Sequence, residues 1–219
     1  MVKIALDNFD LMKPMPPFMR ALRDEIREGR KTQTRRVADQ DFRMQKAVRI
    51  VTDTKNDFYD FVFEDGSGMI RKSPYGRAGD IRYLREPLYH GFGGVAYYQD
   101  DDVMVRSCLT GEPITWKWKA NVLSQLYMPK AAARTLRLYE SIRVERVQEI
   151  RSEDAKAEGV SNLWKWDADR WDKHPEHFER GQLKPYVANF SVLWDEINAK
   201  RGYGWAVNPW VWVIGFKAV

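Results

Sequence analysis

The run Trp210-Val211-Trp212-Val213-Ile214-Gly215-Phe216 has no charged or strongly polar side chain on either face. A strand apolar on both faces must be covered on both, so this segment predicts a central, buried strand with a layer on each side. It is far too short to cross a bilayer as a helix, and no apolar run elsewhere approaches the length a span needs. Asn208-Pro209 turns the chain into it. Its candidate neighbours are rich in β-branched and aromatic residues. Ala47–Val51 and Phe58–Phe63, with Asp65-Gly66 as a turn, predict a hairpin within 47–72. The glycine-bearing turn Tyr75–Asp80 leads into Ile81–Glu86. Ile114–Trp118 alternates and predicts a strand. Arg134–Val147 predicts one long strand, or two joined at Glu140-Ser141.

Helical periodicity occupies the rest. Phe18, Met19, Leu22 and Ile26 form a stripe between Pro14, Pro16 and Pro17 and a closing Gly29. Ser152 is the expected N-cap of a short helix that Gly159 stops, with Glu153 and Asp154 suited to its first turn. Val187, Phe190, Trp194 and Ile197 share one face of a third helix, Val187 to Ala199. There is no regular strand–helix–strand alternation and no internal repeat, so the elements predict an α+β fold. Residues 1–14 read as an extension and 15–219 as one domain, with irregular insertions near 88–112 and 161–184.

Composition narrows the function. Hydrophobic residues are 44% of the chain and include nine tryptophans, enough for a substantial core. A net charge of +5 and a pI near 9.2 favour an anionic partner, nucleic acid or nucleotide. The single Cys108 leaves no internal disulfide or cysteine-based zinc site and fits a reducing cytoplasm. The N-terminus lacks the order of a signal peptide. Asp100-Asp101-Asp102 reads as a solvated loop and His174 with His177 as a plain loop, so no metal is expected.

The most chemically loaded stretch is Gly29-Arg30-Lys31-Thr32-Gln33-Thr34-Arg35-Arg36. Lys31 and Thr34 aim at one point if a turn spans them, and at opposite faces if the chain is extended. Alone, the run also fits a glycine-capped helix end with solvated cations.

Ile26, Glu28, Gly29, Arg30, Lys31, Thr32 and Thr34 look like the signature of the ASCH domain family, of the PUA-like superfamily. Tyr75–Asp80 with Arg85-Glu86, Met128-Pro129 with Arg134, Glu153–Gly159 and Asn208–Val213 match in the expected order. The chain most resembles the long form of the domain met in bacteriophage and prophage genomes. That resemblance implies a small mixed β-barrel with flanking helices. It implies a catalytic trio of Lys31, Thr34 and Glu158, the residue types by which some small ASCH proteins remove the acetyl group from N(4)-acetylcytidine. It implies no cofactor and a nucleoside or RNA as partner, with Arg30, Arg35, Arg36 and Arg134 as phosphate contacts. Two other activities fit the same residues: ribonuclease action in the same basic cleft, and RNA or modified-base binding without chemistry. The presence of all three residue types favours the hydrolase. A threonine hydroxyl needs a base to become a nucleophile. Lys31 can be that base only if burial or the neighbouring arginines lower its pKa against the pull of Glu158. Asp80 is expected to be structural, bonded to the amides of its own turn.

Overall fold

The computed structural model describes residues 9–10, 12–39, 41–53, 56–160 and 185–219. His174, His177 and the tryptophans of the 161–184 insertion, with most of the N-terminal extension, lie outside the described residues. In chain order the elements are β1 (Lys13–Pro14), α1 (Arg20–Arg27), β2 (Gln33–Val37), β3 (Arg49–Asp53), β4 (Phe58–Val62), β5 (Gly68–Arg71) and β6 (Ile81–Tyr83). Then follow β7 (Leu88–His90), β8 (Ala96–Tyr98), β9 (Val122–Leu123), β10 (Leu136–Arg146), α2 (Ser152–Ala157), α3 (Pro185–Asn198) and β11 (Trp210–Ala218). The fold is α+β. The chain folds into two compact units, one of Met1–Arg27, Gly79–Tyr139 and Lys217–Val219, the other of Glu28–Ala78 and Glu140–Phe216.

The second unit is built on β11. Its alternating side chains enter two different cores, as a strand's period of two demands. Val211 and Val213 pack with Val37, Val147, Phe190, Trp194 and Trp205, under α3. Trp210 and Trp212 pack with Met44, Tyr59, Phe61 and Met69, under the meander β3–β4–β5. Tyr59 and Phe61 meet the Trp212 ring edge-on, with centroids 4.8 and 6.1 Å away. β11 pairs antiparallel with β2, setting Val213 opposite Arg35 and Ile214 opposite Thr34. The expected hairpin gains a third strand, β5, across the Asp65-Gly66 turn, where Gly66 has φ +82°. In α3, Val187, Phe190 and Trp194 are buried, while Ile197 in the last turn is exposed. Arg151 rather than Ser152 caps α2, and the buried Ser152 hydroxyl has no hydrogen-bond partner among the described residues. Starting the helix one residue earlier puts Ser152 inside its first turn.

The first unit departs further from expectation. β6 pairs parallel with β1 and antiparallel with the start of β10. The supposedly irregular 88–112 stretch contributes β7 and β8, which with β9 form a small antiparallel sheet in the order β8–β7–β9. Among the described residues Ile114–Trp118 makes one isolated bridge, Thr115 with Val95, and Pro113 just ahead of it makes another with Arg106. Asp100 is buried, not solvated. Its carboxylate accepts from Arg23 Nε and Nη2, both at 2.7 Å. Asp80, expected to bond the amides of its own turn, accepts from the Arg82 side chain, Nη2 at 2.5 Å. In α1, Leu22 and Ile26 are buried and Met19, just ahead of the helix, is exposed. β10 is one continuous strand, and the boundary between the units falls at Glu140, its candidate break. Within neither unit do the described strands close into a barrel.

Candidate active site

The Lys31–Glu158 site lies in the second unit. Gly29, at φ +76°, turns the chain into Arg30 and Lys31. Thr32 is then pinned by main-chain bonds on both sides. Its N–H donates to Ala157 O at 2.8 Å, and its carbonyl accepts from Phe216 N at 2.8 Å. Across from it, Gly159 (φ +80°) ends α2 and leaves Glu158 as the C-cap. Two segments 127 residues apart are thereby held side by side.

Their side chains close the gap. Lys31 Nζ donates to Glu158 Oε2 at 2.7 Å and to the Glu158 carbonyl at 2.9 Å. Arg35 Nη1 donates to Glu158 Oε1 at 3.2 Å. Arg35 also pairs with Glu145, and with Asp154 at 3.4 Å. Arg143 meets the same two acids, at 2.9 and 3.4 Å. Gln33, its amide oriented to satisfy its neighbours, sits between Asp154 and Arg35. Relative exposure is 1% for Lys31, 4% for Glu158 and 5% for Arg35. Burial pushes the Lys31 amine below its ordinary range. Glu158 opposes that shift, and Arg36 and Arg35 add to it. At Asp154 burial acts the other way, pushing the carboxyl up, but Arg35, Arg143 and local hydrogen bonds outweigh it and hold it low. Glu145 and Asp154, with Arg143, Glu149, Arg151 and Glu153, line an open cleft of ≈ 720 Å³.

The remaining expected residues are placed less simply. No helical turn spans 31–34, because the strand begins at Gln33. Thr34 is buried on β2, and strand alternation sets it on the face opposite Gln33 and Arg35. Among the described residues no hydrogen bond joins its hydroxyl to Lys31 or Glu158. Arg30 is exposed and pairs with Glu28. Arg36 shares the Thr34 face by alternation and contributes positive potential at Lys31. Arg134 belongs to the first unit, where Glu86 accepts from it at 2.8 and 2.5 Å, Asp101 stands 2.9 Å away, and its guanidinium lies 3.7 Å over the Tyr98 ring. Sequence reasoning missed Arg143, Glu145 and Asp154. Their signal was faint: two opposite charges at period two on a strand, and an acid in a helix's first turn. Among the described residues no cluster of three or more His, Cys, Asp or Glu is arranged to hold a metal.

An α+β chain with a buried Lys–Glu pair beside a charged cleft is what the fold and site define. No family model and no curated protein matches the chain. It is similar to the crystal structure of an ASCH domain from Lactobacillus crispatus JV V101, at 10% identity and a TM-score of 0.35 over 94% of this chain and 77% of that one. It is also similar to protein EF3133 from Enterococcus faecalis V583, of the DUF984 family, at 11% identity and a TM-score of 0.38 over 98% of this chain and 86% of that one.

Proposed function

We propose that this protein is an amide hydrolase acting on an N-acylated cytidine, with Lys31, Thr34 and Glu158 as its working residues in a domain spanning 15–219. One observation carries the reading: a fully buried lysine whose pKa is lowered, held 2.7 Å from Glu158 Oε2. In this reading the Lys31 amine, when deprotonated, takes the Thr34 hydroxyl proton, and burial favours that form by lowering its pKa. Thr34 Oγ1 then attacks the acyl carbonyl, forming a C–O bond. Proton return to the exocyclic nitrogen breaks the C–N bond and frees cytidine. Water hydrolyses the acyl-threonine ester, releases the acid and restores the hydroxyl. Glu158 orients the amine and balances its charge when protonated. With this reading go the barrel closure that the ASCH resemblance implies, a bacteriophage or prophage origin, and a nucleoside or RNA met in the cytoplasm.

The test is turnover of N(4)-acetylcytidine and related acylated cytosines, followed by acid release. Thr34→Ala should abolish the chemical step with substrate affinity nearly unchanged, and Thr34→Ser should keep part of the rate. A second reading, an RNA-binding module without chemistry, is favoured by the deep burial of Lys31 and by a Thr34 hydroxyl not bonded to it. It predicts no acid release, a mild Thr34→Ala, and a dominant effect of charge reversal at Arg36. Cuts in labelled RNA would instead indicate a ribonuclease.

A further inference from the structure

The first unit holds a surface that this chemistry does not use. Between Glu112 and Glu140 the chain has no acidic residue and five cations: Lys117, Lys119, Lys130, Arg134 and Arg137. Three of these are occupied. Lys130 donates to the Phe9 and Asp10 carbonyls, Arg134 is held by Glu86 and Asp101, and Arg137 donates to the Ile26 and Leu136 carbonyls. Lys117 and Lys119 are exposed, and neither forms an ion pair or hydrogen bond among the described residues.

These two lysines interleave with Trp116 and Trp118, at the edge of the small sheet. Trp116 N donates to Gly94 O at 2.9 Å, which ties the segment to the turn joining β7 and β8. That hairpin supplies His90, whose ring stacks on Trp116 with centroids 5.6 Å apart and planes 10° from parallel. Trp118 meets Trp116 edge-on at 4.8 Å. Both indoles rest partly on the core and keep part of their surface in solvent. Phe92, at the tip of the same turn, is 93% exposed. An almost bare phenylalanine and an exposed, stacked imidazole, flanked by two uncommitted cations in an acid-free stretch, form a surface with π-faces for bases and charge for phosphates.

We propose that this edge binds a single-stranded polynucleotide, with unpaired bases stacking on His90, Phe92 and the open indole surface and with Lys117 and Lys119 neutralising phosphates. A duplex keeps its bases stacked inside and cannot use the π-faces, so the site selects single strands. The surface shares no residue with the Lys31 site, so it stands or falls independently of the hydrolase.

The test is a fluorescence-anisotropy titration of the full chain with a labelled twelve-nucleotide RNA, the DNA of the same sequence, and the corresponding duplex. Both single strands should bind and the duplex should bind at least tenfold more weakly. Lys117→Gln with Lys119→Gln should weaken single-strand binding about tenfold and flatten its salt dependence by about 1.4 in log–log slope, about 0.7 for each phosphate no longer neutralised. His90→Ala and Phe92→Ala, both at exposed positions, should each weaken binding severalfold without loss of folded signal. Hydrolysis of a free acylated nucleoside should be unchanged in all of these variants. No binding by the unaltered protein, equal affinity for duplex, or variants that bind like the unaltered protein would each overturn the proposal.

Discussion

Removing the carboxylate at 158 probes the whole site, because two buried cations depend on it. Glu158→Gln keeps the side-chain size and takes away the charge that faces Lys31 at 2.7 Å and Arg35 at 3.2 Å. Breaking a buried ion pair from one side costs about 3–5 kcal/mol. Here Lys31 keeps the Glu158 carbonyl at 2.9 Å, and Arg35 keeps Glu145 and Asp154, so the lower end applies, about 3 kcal/mol. For a chain of this size that is a fall in Tm of roughly 6–12 °C. The pH dependence distinguishes a lost counter-ion from damaged packing. In the folded protein the Lys31 amine releases its proton below its ordinary value of 10.5. Between the folded and unfolded pKa values the unfolded chain binds more protons, so stability rises with pH in that window. Glu158 is the influence that raises the folded value, so the substitution lowers it further and extends the window downward. The deficit of Glu158→Gln against the unaltered protein should therefore shrink as pH rises from neutral towards the ordinary lysine value of 10.5 in urea unfolding. Lys31→Met combined with Glu158→Gln should lose less than the sum of the two single changes. A deficit that stays flat across that range, or no deficit at all, would refute the assignment of Glu158 as the counter-ion of a buried, depressed lysine.

Glu86 is fully buried between Arg27 at 2.9 Å and Arg134 at 2.5 Å, so Glu86→Gln should cost about 3 kcal/mol by denaturant unfolding. Gly159→Ala should cost about 1 kcal/mol, since φ +80° lies where a Cβ crowds the backbone; Gly159→Asn should cost less. On the acid side, Asp154 titrates below its ordinary value of 3.8. Its contribution should be complete above about pH 4 and fade as pH falls through the lower folded value, and Asp154→Asn should remove that part of the acid transition.

The sequence is most informative where one residue's neighbours on the chain settle its conformation. The two-faced apolar run of β11 needs no partner to declare itself buried, and Gly29 and Gly159 mark turns by being glycine. Glu158 and Lys31 could be paired only through the family resemblance, since no periodicity relates positions 127 apart. Where a distant partner decides, local reading fails. Asp100 looks solvated beside Asp101 and Asp102 until Arg23, 77 residues away, reaches it. Asp80 looks committed to its own turn until Arg82 lies on the same side. Ile114–Trp118 has a strand's alternation, but a strand also needs a continuous ladder, and among the described residues this segment forms one isolated bridge. A turn would aim Thr34 at the same point as Lys31, yet pairing with β11 draws Gln33–Val37 into extended backbone.

Thr32 has a wider meaning than its modest side chain suggests. Its amide and carbonyl are tied to Ala157 and Phe216, so the span between positions 31 and 158 is fixed by main chain alone. The scaffold therefore separates architecture from chemistry: the mounting points stay put whatever is mounted on them. A lineage, or an engineer, can therefore trade one reactive pair for another at this junction without rebuilding the chassis that carries it.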